Sequence, residues 1–171
     1  MKNKILSFLA TAALGTTLFF ASCKEDKCKD VTCNNGGTCI DGSCECATGY
    51  EGTKCETAAN LKWAGNPYAV VSCQTPPNYN TSITASSDVS KIIITNIANL
   101  NLINSNTTTV VATVSQSSVT ITRQTPTGLV GLQVEGTGTR SSNGVITMSY
   151  TVYDGSTSTV VGGCSNTTWT K

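Results

Sequence analysis

From residue 61 onward, apolar and polar side chains alternate along the chain. Val110, Ala112 and Val114 share one side, as do Val119 and Ile121, then Val130, Leu132 and Val134, then Ile146, Met148, Tyr150 and Val152. The opposite side carries mostly Thr, Ser and Gln, with Glu135 and Arg123. A period of two means strands with one buried face and one wet face. The pattern predicts eight strands, at 68–74, 79–86, 91–97, 107–115, 118–125, 129–138, 144–154 and 158–170. Turn formers separate them, among them Pro76-Pro77, Asn143-Gly144 and Asp154-Gly155. Asn143-Gly144 is a hairpin signal. No long helical period intervenes, so residues 61–171 are expected to form an antiparallel all-β domain.

The N-terminus follows a different pattern. Lys2 and Lys4 precede an apolar run that ends in Phe20-Ala21-Ser22-Cys23, which reads as a secretory signal over residues 1–22. The last four of these residues resemble the lipobox of bacterial lipoproteins. That resemblance implies lipidation of Cys23, a palmitate-bearing anchor and the membrane as a partner. Lys24-Glu25-Asp26 resembles the surface-export signal of Bacteroidetes lipoproteins, which implies an outer-membrane, lipid-anchored protein exposed at the cell surface. Residues 23–27 would then be the lipidated linker.

Nine cysteines in 171 residues indicate an oxidising compartment. Six of them fall between Cys28 and Cys55, with the spacing C-x4-C-x5-C-x4-C-x-C-x8-C. So short a segment cannot fold on an apolar core alone, and cross-links must take its place. Spacing by itself leaves 15 pairings open. A zinc knuckle is the competing reading, but the chain has no histidine and the fourth and fifth cysteines are one residue apart. With Asn35-Gly36-Gly37 and Gly49-Tyr50-x-Gly52, residues 28–55 resemble an EGF-like module. That family implies the pairs Cys28–Cys39, Cys33–Cys44 and Cys46–Cys55. Its calcium-binding members carry acidic residues before the first cysteine and an aromatic after the third; this chain departs from both, so no metal is expected. Residues 56–60 read as a connector.

If Cys23 carries lipid, Cys73 and Cys164 remain to pair with each other. They lie in the first and last predicted strands, so a bridge between them would bring the ends of the sheet together. In an eight-stranded meander this implies closure into a barrel, with a β-sandwich as the alternative. Trp63-Ala64-Gly65, Gly136-Thr137-Gly138 and the run from Val145 to Tyr150 resemble lipocalin-like, or calycin-like, barrels of small secreted Bacteroidetes lipoproteins. The resemblance implies room for a small apolar ligand, with Trp63 and Trp169 as candidate contacts. The competing reading makes both tryptophans plugs over the core, because a barrel of eight strands can be filled by its own side chains.

Charge and composition narrow the function. A formal charge of +1 gives no electrostatic reason to expect nucleic acid. The absence of histidine removes the usual general base, and only Asp88, Glu135 and Asp154 supply carboxylates after residue 60. No catalytic residue and no cofactor are therefore expected. The sequence reads as a non-enzymatic binding or adhesion protein, with the EGF-like unit as pedestal and the β-domain as the head that meets an extracellular protein or glycan. A lipocalin-like carrier of a small apolar ligand is the alternative.

Overall fold

The structure, a computed structural model, describes residues 26–73, 75, 77–104 and 107–171. The signal sequence, the lipid site Cys23 and Lys24-Glu25 lie outside the described residues. The N-terminal module is built on a hairpin of β1 (Thr38–Ile40) and β2 (Ser43–Glu45). Its two-residue turn, Asp41-Gly42, has φ values of 51° and 87°. An Asp-Gly pair adopts that left-handed geometry readily, and the resulting twist matches the strands. Disulfides Cys28–Cys39, Cys33–Cys44 and Cys46–Cys55 cross-link the module.

The second domain is a closed eight-stranded antiparallel barrel. Its strands are β5 (Gly65–Val71), β6 (Asn78–Ala85), β7 (Lys91–Thr95), β8 (Thr109–Val114), β9 (Ser118–Gln124), β10 (Leu132–Arg140), β11 (Ile146–Asp154) and β12 (Val160–Thr170). Each strand pairs with the next, and β12 returns to β5. The all-β expectation holds, and closure selects the barrel over the sandwich. The closing seam is short: Thr168, Trp169 and Thr170 face Val71, Val70 and Ala69. Beyond it, the Cys73–Cys164 disulfide ties β12 to the segment that follows β5.

Inward positions of all eight strands form one apolar core, with Val70, Ile83, Ile94, Ala112, Ile121, Val134, Met148 and Trp169 among its members. Burial on this scale drives folding at about 25 cal/mol per Å² of apolar surface. Ile97, Ala98 and Leu100, in and beside a 3-10 turn at Ile97–Asn99, extend the core at one end. One assignment is corrected: Val130 does not share the buried face of Leu132 and Val134. Gly128 and Gly131, at φ 83° and 80°, turn the chain before β10 begins, so Val130 lies on the intervening loop and is 89% exposed.

The stretch 56–60 is also more structured than a connector. β4 (Thr57–Ala58) pairs with β3 (Tyr50–Glu51), and a short helix, α1 (Ala59–Trp63), follows at once. The helix places buried Asn60 against the β6–β7 turn. Its Nδ2 donates to the carbonyls of Ser86, Asp88 and Lys91 at 2.8, 3.1 and 3.1 Å, and its backbone N–H donates to Val89 O at 3.2 Å. From the module side, Gly49 meets the same turn so closely that a Cβ there would lie 2.7 Å from Val89 Cγ2. Lys62 Nζ of α1 lies 2.5 Å from Oε2 of Glu51, a buried carboxylate whose oxygens accept no other hydrogen bond among the described residues.

Asn60→Ala removes three side-chain hydrogen bonds from a part-buried joint: Ser86 O loses its Asn60 donor, while Asp88 O and Lys91 O keep backbone donors from Lys91 and Ser86. We expect a loss of about 1–3 kcal/mol in denaturant unfolding. Asn60→Asp should cost at least as much, since a carboxylate cannot donate to those carbonyls. An unchanged denaturation midpoint for both variants would show that Asn60 does not tie the module to the barrel.

Candidate functional site

The two tryptophans singled out from the sequence are both fully buried in the core. Trp63 is the last residue of α1; its Nε1–H donates to Ser115 O at 3.4 Å, and its carbonyl accepts from Tyr68 Oη at 2.8 Å. Trp169 lies on β12 and donates to Thr167 Oγ1 at 2.9 Å. The structure therefore places both among packing partners and does not bring them together as a binding site. Two tyrosine hydroxyls inside the barrel likewise find their partners there. Tyr150 Oη lies 3.4 Å from Ser72 Oγ and 3.5 Å from Tyr79 Oη, and burial, with Tyr150 beside it, pushes the Tyr79 phenol well above its usual range. Among the described residues, no group of three or more His, Cys, Asp or Glu is placed to hold a metal.

The outer wall of β9 to β12 offers a different kind of surface. Cross-strand register sets hydroxyl side chains in rows. One row runs Thr113, Thr120, Thr137 and Ser149, and a second runs Ser118, Thr139, Thr147 and Thr168. Neighbouring members sit one strand apart, about 4.7–4.9 Å, and successive rows about 6.6–6.8 Å apart along each strand. The rows border two adjoining grooves of about 540 and 440 Å³, which share Thr120, Thr137 and Ser149.

A β-bulge shapes one end of the larger groove. Register shifts where Val134 faces Gln124 and Gly136 faces Ile121, so Thr122 and Arg123 together oppose Glu135. Arg123 is exposed, on the wet face where the sequence sets it, although strict alternation from Val119 and Ile121 would aim it inward. The extra residue turns it to the outside, as bulges do. There Arg123 Nε lies 3.6 Å from Glu135 Oε2, and its guanidinium stacks 3.3 Å from the centroid of the Tyr153 ring. The Tyr153 hydroxyl donates to Glu135 Oε1. The sequence sets Arg123 and Glu135 on one wet face but does not single out their cluster with Tyr153, because nothing in it marks the bulge. The Thr-rich alternation of β9 and β11 was the visible signal.

Elsewhere, exposed carboxylates serve turns. Asp88 is held down to about 2 by hydrogen bonding from Lys91, then from the Ser90 hydroxyl and amide. The Asp154 carboxyl is lowered by Ser156 and Thr157. A third cleft, about 450 Å³, lies between the module and the barrel, with Cys46, Gly49, Ala59 and Ser115 on its walls.

With the geometry in view, similarity to known proteins speaks for the N-terminal module. Residues 30–58 match the family model of a teneurin-like EGF domain. That match runs through β4, in keeping with the sheet that Thr57–Ala58 completes. No curated protein and no solved structure matches the chain. An EGF-like domain joined to a barrel is a combination compatible with a binding or adhesion module. No helix among the described residues is long and apolar enough to cross a membrane.

Proposed function

We propose that this protein is a bacterial surface lipoprotein that binds an extracellular ligand and performs no chemistry on it. Cys23 would carry the lipid, Lys24-Glu25-Asp26 would direct export to the outer face of the outer membrane, and the EGF-like domain would stand as pedestal beneath the barrel. Four residues separate Cys23 from Cys28, a reach of roughly 15–20 Å at most, which keeps the module close to the bilayer. The joint at Asn60, Gly49 and Glu51–Lys62 supports a pedestal that holds its load in a fixed pose.

The observation that carries the reading is the occupied interior. Core side chains from every strand take the space a carried ligand would need, and both tryptophans proposed as contacts are among them. Recognition then falls to the outer wall, where the β9–β12 grooves lie. The purified chain, screened against arrayed glycans and extracellular proteins, is expected to retain at least one class of ligand while apolar probes leave it unchanged in native mass spectrometry. A blank screen, or an apolar molecule that co-purifies in a fixed ratio, would overturn the reading.

A further inference from the structure

We propose that the β9–β12 groove is a site for a neutral, hydroxyl-rich glycan, with Arg123 and Glu135 clasping a pair of neighbouring sugar hydroxyls. The inference rests on the outer wall being the recognition surface and adds the class of ligand. Three properties of the groove lead to it.

First, its charge is balanced within itself. Arg123 and Glu135 lie 3.6 Å apart, so the pair offers strong hydrogen-bonding groups without a net field to attract a phosphate, an acidic peptide or a basic one. Second, the outward side chains around it are hydroxyls: Thr120, Thr137 and Ser149 in one row, with Thr151 beside Glu135. Protein partners are held chiefly by Trp, Tyr and Arg anchors seated in desolvated pockets, with Ser and Thr under-represented. The apolar residues lining this groove, Ile121 and Tyr150, are turned into the core instead. Third, the groups match a sugar's own alternation. A hydroxyl both donates and accepts, a guanidinium presents parallel donors, and a carboxylate accepts from two O–H groups. The threonine methyls between them can lie against sugar C–H faces.

The bulge makes this arrangement specific to the site. Without it, Arg123 would not share a face with Glu135. Tyr153 supports the clasp from behind, because its ring backs the guanidinium while its hydroxyl holds one carboxylate oxygen. The other oxygen, Oε2, faces Arg123 at the groove.

The full chain is tested on an array of neutral oligosaccharides, and hits are titrated by calorimetry. Glu135→Gln and the shape-preserving pair Thr137→Val with Thr151→Val should each weaken a hit by about tenfold, the loss of one or two hydrogen bonds. Thr84→Val, an exposed hydroxyl deletion on β6, should leave it unchanged. Thermal unfolding of each variant checks that the barrel is intact. Absence of neutral-glycan binding, or binding that both groove variants leave unchanged, overturns the proposal. If a protein ligand is bound instead and lost in the groove variants, the outer-wall reading stands and the glycan assignment fails. If nothing extracellular binds, both fall.

Discussion

Trp63→Ala should destabilise the protein by about 3–5 kcal/mol, the usual range for emptying a buried tryptophan site. The side chain is fully buried, and its indole N–H is satisfied by Ser115 O on the β8–β9 turn. Removing it opens a cavity at the end of the barrel where α1 sits, and leaves that carbonyl without its donor. The helix also carries Asn60 and Lys62, which tie the EGF-like domain to the barrel. The variant should therefore show two linked changes: an earlier denaturant midpoint and faster proteolysis between residues 55 and 65. Trp63→Phe keeps most of the apolar volume and should lose less. If Trp63 were a ligand contact, the alanine variant would keep its stability and lose only binding. Denaturant unfolding distinguishes the two outcomes directly.

The second large effect concerns the seam. Replacing both Cys73 and Cys164 with serine reopens a loop spanning 91 residues of sequence separation. In the chain-entropy view, a closure of that length stabilises by roughly 4–5 kcal/mol, and measured losses for native disulfides run about 2–5 kcal/mol. The seam has little else to hold it, since β12 meets β5 through three residue pairs, whereas β10 and β11 pair along their whole lengths. A fall in thermal midpoint on the order of 10 °C is expected for the double variant. Reduction of the native protein should move its midpoint in the same direction. A midpoint within a degree or two of the native one would mean that core packing alone closes the barrel.

Much of this architecture could be read from residue order, for a physical reason. Ile146, Met148, Tyr150 and Val152 repeat every second position because the β11 side chains alternate between core and solvent, and the structure buries all four. The barrel itself followed from two cysteines placed at opposite ends of a meander. What escaped was whatever depends on a departure from that period. Residues 57–58 form a strand of two residues, too short for any alternation to show, so the joint between the domains looked like a connector. Val130 fits the alternation of Leu132 and Val134 in sequence, but glycines on either side of it bend the chain away from the sheet. Arg123 stands on the wet face, as read from the sequence, but by way of a bulge that adds a residue to β9, and the sequence around it, Thr-Ile-Thr-Arg-Gln, carries no glycine or proline to announce one.

The functional account depends on recognition taking place at the outer wall of a filled barrel. The most direct measurement is the binding isotherm of a retained extracellular ligand on the native chain and on Thr137→Trp, which sets a bulky ring into the space shared by the two grooves. Thr137 is an exposed position on β10, so the barrel should unfold at its native midpoint. The account predicts that binding falls below detection while the fold is retained. Undiminished affinity in a folded Thr137→Trp protein would contradict it.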